Sequence, residues 1–143
     1  VYRIEEEFDY NGYRCVVTFN EIGYYEGYIA LHEDDVFYNK SWYYINDKRA
    51  LSIKIASAGR TTPKNDGHFW LGFICDEQGI KPDTDRVKEI WGDKAMVLTF
   101  LNMQRLSPIP KTGKIRDIEY VKDRLKKLVN EVRDENRRQT SRT

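Results

Sequence analysis

Period-two alternation dominates the first third of the chain. Tyr2, Ile4 and Phe8 fall on one face, and Asn11-Gly12 follows. That dipeptide is the strongest short hairpin signal, because a type I′ turn needs positive φ at both central residues. Beyond it Tyr13, Cys15, Val17 and Phe19 alternate with Arg14, Val16 and Thr18. Asn20 to Gly23 reads as a second turn, and Tyr25, Gly27, Ile29 and Leu31 alternate again. The pattern predicts a three-stranded antiparallel meander.

From His32 to Lys48 the pattern loses its regularity, with turn residues at Asn39 to Ser41 and at Asn46-Asp47. ALSIKIAS restores a strand-like alternation of Leu51, Ile53 and Ile55, and Ser57 to Gly67 is the longest run of loop chemistry. Phe69, Leu71, Phe73 and Cys75 then alternate with His68, Trp70, Gly72 and Ile74. Both sets are largely apolar, which predicts a central strand covered on both faces. Further on the period becomes helical. Asp83 or Thr84 can cap a first helix, which Gly92-Asp93 breaks or kinks before KAMVLTFLNMQRL continues it. SPIPKTG is a linker, since Pro108 and Pro110 exclude helix. Asp117 can cap a last helix whose Ile118, Val121, Leu125, Leu128 and Val132 form one stripe. The expected fold is α+β in a single domain over 1–143. An antiparallel sheet of about five strands fills roughly 1–76, helices at about 84–134 pack on one face of it, and a frayed basic tail covers 135–143.

Composition adds little to that fold and more to its setting. No apolar run approaches the roughly 20 residues that span a bilayer, so no membrane partner is expected. VYRIEEEFDY alternates and carries acids, unlike a secretory signal. The two cysteines, Cys15 and Cys75, then read as reduced, buried thiols in a cytoplasmic protein. Net charge is +1, but Val1 to Phe37 holds nine acids against Arg3 and Arg14, or −7, leaving +8 for the remainder. Such a split suits an acidic face that meets a basic partner, a basic end that meets an anion, or two merely solvated ends.

Most chemistry fails at the level of residue type and spacing. Asp76 and Glu77 follow Cys75 and oppose a thiolate there. His32, His68, Cys15 and Cys75 have no metal-ligand spacing, and neither a phosphate loop nor a dinucleotide fingerprint occurs. The reading is therefore a non-enzyme with no cofactor and no metal. Arg133, Arg137, Arg138 and Arg142 make the C-terminal end basic, yet Glu119, Asp123, Glu131, Asp134 and Glu135 are interleaved. A solvated helix face fits this mixture better than a nucleic-acid stripe.

YNGYRCVVTFNEIGYYEGYIAL, HFWLGFICDEQG and KIRDIEYVKDRLKKL, taken in that order, resemble a family of small phage-encoded accessory proteins. The likeness covers Tyr10 to Leu31, Gly72 to Gly79 and Arg116 to Leu128. Phe69-Trp70 stands where the family tends to carry two tryptophans. Ile74-Cys75-Asp76-Glu77 stands where it tends to carry Asp-Cys-Ala-His. What the resemblance implies is a setting: a non-structural phage protein in the cytoplasm of a bacterial host, counteracting an antiviral defence system.

Within that setting the first expectation is an inhibitor that binds a host defence protein. Its acidic N-terminal face would offer exposed Tyr24, Glu26, Tyr28, Asp34 and Asp35 to a basic channel. The alternative is a homo-oligomeric sponge that sequesters a nucleotide immune signal, with Arg60, Lys64 and Trp70 as ligand-binding residues near the long loop. A hydrolase built on His68, Asp76 and Glu77 ranks last.

Overall fold

The computed structural model describes residues 1–94 and 113–141. Its strands are β1 (Tyr2–Tyr10), β2 (Tyr13–Asn20), β3 (Tyr25–Leu31), β4 (Ser57–Gly59) and β5 (Phe69–Ile74). They form one antiparallel sheet in the order β1-β2-β3-β5-β4. Among the described residues three helices accompany it: α1 (Trp42–Asp47), α2 (residues 84–94) and α3 (Ile118–Ser141). The expected α+β class and meander are present, with β5 in the interior of the sheet as its doubly apolar pattern requires.

The turns follow their residues. Asn11 and Gly12 take φ of 49° and 85°, as a type I′ hairpin needs. In the second turn the Asn20 side-chain oxygen accepts from the backbone N–H groups of Ile22, Gly23 and Tyr24, each at 3.1 Å. Asp83 and Asp117 each accept an N–H three residues on, at 3.1 and 3.0 Å, and so cap α2 and α3.

One sheet face packs against α3. Val121, Leu125, Leu128, Val129 and Val132 are fully buried against Cys15, Val17, Ile29, Leu71 and Phe73. The opposite face holds a small second core of Val16, Tyr28, Ala30 and Trp70. The Arg60–Gly67 loop reaches that face. Its buried Pro63 accepts from the Tyr2 hydroxyl at 2.6 Å, Lys64 pairs with Glu7, and Asp66 accepts from the Trp70 indole at 3.3 Å. The longest loop is thus architecture, the cover of the second core.

Four expectations need correction. A bulge between Ile4 and Glu6 shifts the β1 register. Tyr2 and Ile4 therefore lie opposite Asn20 and Thr18, while Phe8 lies opposite Cys15 on the α3 side, so the three do not share a face. ALSIKIAS is not a strand; Ile53 and Ile55 are buried, but the fourth strand is the short Ser57–Gly59. His32 to Lys48 contains a helix, capped by Ser41, whose hydroxyl accepts from Tyr44 N–H at 3.3 Å. Residues 135–141 are not frayed, since α3 runs on to Ser141 and buries Glu135 against Arg138 and Gln139. The expected continuation of the first helix and most of the SPIPKTG linker lie outside the described residues.

Candidate functional site

A cleft of about 580 Å³ opens beside α1 at the end of β5. Trp42, Ser52, Lys54, Ile55, Ala56, Ile74, Asp76, Glu77 and Arg124 line it, so α1, the 52–56 segment, the end of β5 and α3 each supply a wall. Hydrogen bonds tie those walls together. Asn46 in α1 brackets Ile55, its amide donating to the carbonyl and its oxygen accepting the N–H, both at 2.8 Å. Ala56 N–H donates to the Gly72 carbonyl at 2.7 Å. Ser52 donates its N–H and its hydroxyl to Glu131 of α3, at 3.1 and 3.0 Å. Arg124 spans from α3 to Glu77 at 2.6 Å, with its guanidinium also over Phe73 and Tyr120. A cleft pinned on four sides is preorganised, which lowers the ordering cost of binding.

Its charges fall into two kinds. Arg124 and Glu77 neutralise each other across the back. Asp76 and Lys54 have no ion pair among the described residues, although each feels the other's field. Desolvation by the surrounding walls raises the Asp76 pKa above its ordinary value, and the neighbouring Glu77 adds to the shift. The cleft thus holds one carboxylate and one ammonium without ion pairs among the described residues, and the exposed indole of Trp42.

Around it lies an aromatic and cationic surface. Trp42, Tyr43 and Tyr44 are 47%, 66% and 39% exposed, three consecutive large rings in solvent. Lys40 and Lys48 sit over the Tyr44 ring at 5.3 and 4.8 Å. Residues 39–60 carry five cations, Lys40, Lys48, Arg49, Lys54 and Arg60, against Asp47 alone. None of the five forms an ion pair among the described residues.

The residues expected from sequence are mostly placed elsewhere. Tyr24, Tyr28 and Asp35 are buried rather than exposed. Glu26 accepts from Thr18 at 2.8 Å and from Asn20 at 3.3 Å, inside the sheet's own network. Of the five partner-binding candidates only Asp34 stands exposed. The ligand-binding trio is not brought together. Trp70 is buried in the second core and Lys64 is held by Glu7 on that same face. Arg60 instead bonds to Tyr38 and Asn39 and lies over Phe69, toward the α3 side. His68 pairs with Asp66 at 3.1 Å at the start of β5, whereas Asp76 and Glu77 follow its far end, which separates the hydrolase grouping. Both cysteines are free, and burial pushes each thiol up to about 12, so neither serves as a nucleophile near neutrality.

A second, shallower hollow of about 300 Å³ gathers His32, Asp34 and Asp35 beside Tyr13 and Asn136. Asp35 is already engaged there. It accepts from the Tyr13 hydroxyl and the Asn136 amide, each at 2.6 Å, and from His32 N–H at 2.7 Å. His32 stacks on Tyr13 with centroids 4.3 Å apart and reaches the Gly12 carbonyl through Nε2. The group is a staple between the sheet and α3.

Fold and site together define an α+β protein with a preorganised cleft beside an exposed aromatic helix flanked by Lys40 and Lys48. Comparison with protein-family models, with curated proteins and with solved structures finds no match for this chain. No helix among the described residues is long and apolar enough to cross a membrane.

Sequence reasoning missed α1 and Arg124. A six-residue helix is too short to display a 3.6-residue period, and Ile45 is its only buried residue. Ser41 directly before Trp-Tyr-Tyr-Ile was the available signal, a cap followed by a bulky run.

Proposed function

We propose that this protein is a non-enzymatic binding protein that docks its α1 face on an acidic surface of a partner protein and occludes it. The observation that carries the reading is the trio of exposed rings, Trp42, Tyr43 and Tyr44, set among cations without carboxylate partners. Tryptophan and tyrosine dominate interface energetics because each buries a large rigid area at small entropic cost. Free cations at the rim steer an acidic partner and fix its orientation. The resemblance to phage accessory proteins supplies the setting, in which the partner is a host defence protein.

The docking face in this reading is the reverse of the one expected from charge runs. The acids of β1 have partners in their own chain: Glu5 with Arg3 and Arg86, Glu6 with Lys122, Glu7 with Arg14 and Lys64, Asp9 with Arg14. The acids of β1 are thus matched from within, whereas Glu26, Glu33, Asp34 and Asp35 form no ion pair among the described residues.

The test is native mass spectrometry of the protein purified from a bacterial host with intact defence systems, beside Tyr43→Ala and Lys48→Glu. The expected result is a stoichiometric complex with one host protein whose activity is inhibited. It weakens at least tenfold in either variant, in line with about 1–3 kcal/mol for an interface hot spot. Recovery of the same species from wild type and both variants would overturn the reading.

A further inference from the structure

Independently of any protein partner, we propose that the cleft between α1, β5 and α3 is a binding site for a guanine mononucleotide. Trp42 would stack on the base, Asp76 would read its edge and Lys54 would hold its phosphate. The inference starts from which groups in the cleft lack a partner. Glu77 pairs with one terminal nitrogen of Arg124, whose buried Nε keeps no hydrogen-bond partner, Ser52 is committed to Glu131, and the Asn46 amide closes on Ile55. What remains without a side-chain hydrogen bond or ion pair is the Trp42 indole, which meets Tyr43 edge to face, the Asp76 carboxylate, which bonds its own backbone N–H, and the Lys54 ammonium, and all three line one void. At about 580 Å³ that void lies within the usual range for small-ligand sites and is roomy enough for a mononucleotide.

The chemistry selects among ligands. An exposed indole offers a flat apolar surface, and stacking a base on such a ring contributes about 1–3 kcal/mol. A carboxylate is acceptor-only, so it favours an edge with adjacent donors. Guanine presents N1–H and the N2 amino group side by side. Adenine and cytosine place a ring acceptor next to their amino group, and uracil flanks its N3–H with two carbonyls, so each would set a lone pair against the carboxylate. Guanine alone among the common bases can engage Asp76 through two parallel hydrogen bonds.

A guanidinium has the same paired donors, so a partner's arginine is the competing occupant. Lys54 decides against it, because an ammonium in the same cleft repels a second cation and attracts a phosphate. The prior pairing of Glu77 with Arg124 limits the repulsion that a phosphate would otherwise meet there.

Isothermal titration of the full chain at pH 7.5 with 5′-GMP, 5′-AMP, guanosine and N-acetyl-arginine amide tests the site. The expected order is GMP at least tenfold tighter than AMP and tighter than guanosine, with the arginine derivative weakest. Asp76→Asn should erase most of the GMP-over-AMP preference, because an amide offers one acceptor and one donor. Lys54→Met should bring GMP to the level of guanosine. Circular dichroism and melting curves check that both variants are folded. Tyr43→Ala, which tests the protein-partner reading, should leave GMP binding unchanged, so the two ideas fail separately. Absence of GMP binding up to about 5 mM, equal affinity for AMP and GMP, or tighter binding of the arginine derivative would overturn the proposal.

Discussion

Two faces of this molecule use charge in opposite ways. Along β1, where it meets the Arg60–Gly67 loop on the outer face and α2 on the other, carboxylates and cations are matched pair by pair. Glu5 binds Arg3 and Arg86, and Glu7 binds Arg14 and Lys64. Those pairs draw partners from distant segments: Lys64 lies 57 residues from Glu7, and Arg86 lies 81 from Glu5. On the α1 face the cations from Lys40 to Arg60 have no such partners, and three rings stand in solvent beside them. The first arrangement closes loops onto the sheet. The second leaves both charge and apolar area unsatisfied at the surface, which a monomer gains nothing from.

The largest test of that contrast uses one residue type in both regions. Trp70 is 1% exposed beneath the loop, whereas Trp42 is 47% exposed beside the cleft. Trp70→Ala removes the bulk of the second core and the indole bond to Asp66, and should cost about 3–5 kcal/mol. Trp42→Ala should change stability by only about 0.5 kcal/mol while weakening whatever binds the α1 face. Urea denaturation of both variants measures the pair. Similar losses would mean that Trp42 is a structural residue and that the contrast is false.

A smaller effect probes the outer face through pH. The hydrogen bond from Lys64, followed by the Lys64 and Arg14 charges, holds the Glu7 pKa below its ordinary value of 4.5 despite partial desolvation. A carboxylate whose folded pKa is depressed stabilises the fold above its unfolded pKa. That contribution is lost as pH falls through 4.5 toward the folded value. Lys64→Met should therefore flatten the decline in melting temperature below pH 4.5 and loosen the loop. If the wild-type and variant acid limbs were parallel, the ion pair would be ornamental.

The same contrast explains what the sequence disclosed and what it hid. Strands β2, β3 and β5 were legible because alternation over six or more residues ends in turn residues with definite conformational demands, as at Asn11-Gly12 and Asn20. The α3 stripe was legible for the same reason at a different period. Within β1, however, Glu5-Glu6-Glu7 carries no apolar marker, so nothing in the pattern reveals that the bulge switches faces between Ile4 and Phe8. Leu51, Ile53 and Ile55 alternate, but their segment bonds chiefly to side chains of Asn46 and Glu131, and alternation reports burial rather than a ladder. The end of α3 is held by polar contacts, Asn136 to Asp35 and Gln139 to Glu135, which a hydrophobic stripe does not register. The site suffered most. The excess of acids before Phe37 pointed to Tyr24, Glu26, Tyr28, Asp34 and Asp35, yet four of these five are not exposed, and the burial and pairing that decide which charges are available are invisible to local composition.

The smallest expected effect is also the one that best isolates the cleft. The Asp76 pKa is raised by desolvation and, less, by Glu77, with the hydrogen bond from its own backbone N–H and the Lys54 charge only partly offsetting them. A carboxylate with a raised folded pKa binds its proton more readily in the folded state. It therefore weakens the fold above its unfolded pKa, and that penalty disappears as pH falls below it. Asp76→Asn removes the penalty, so it should raise the melting temperature at pH 7 and leave it unchanged near pH 3. Raising stability by removing a charged side chain is what a binding site does, since its groups are arranged for a ligand rather than for the fold. The outer face predicts the reverse sign: Glu7→Gln should lower the melting temperature at pH 7, because that carboxylate is already matched. Thermal melts of both variants at the two pH values decide the matter. A fall for Asp76→Asn at pH 7 would show that Asp76 holds the β5 turn together, and the cleft would then belong with the architecture.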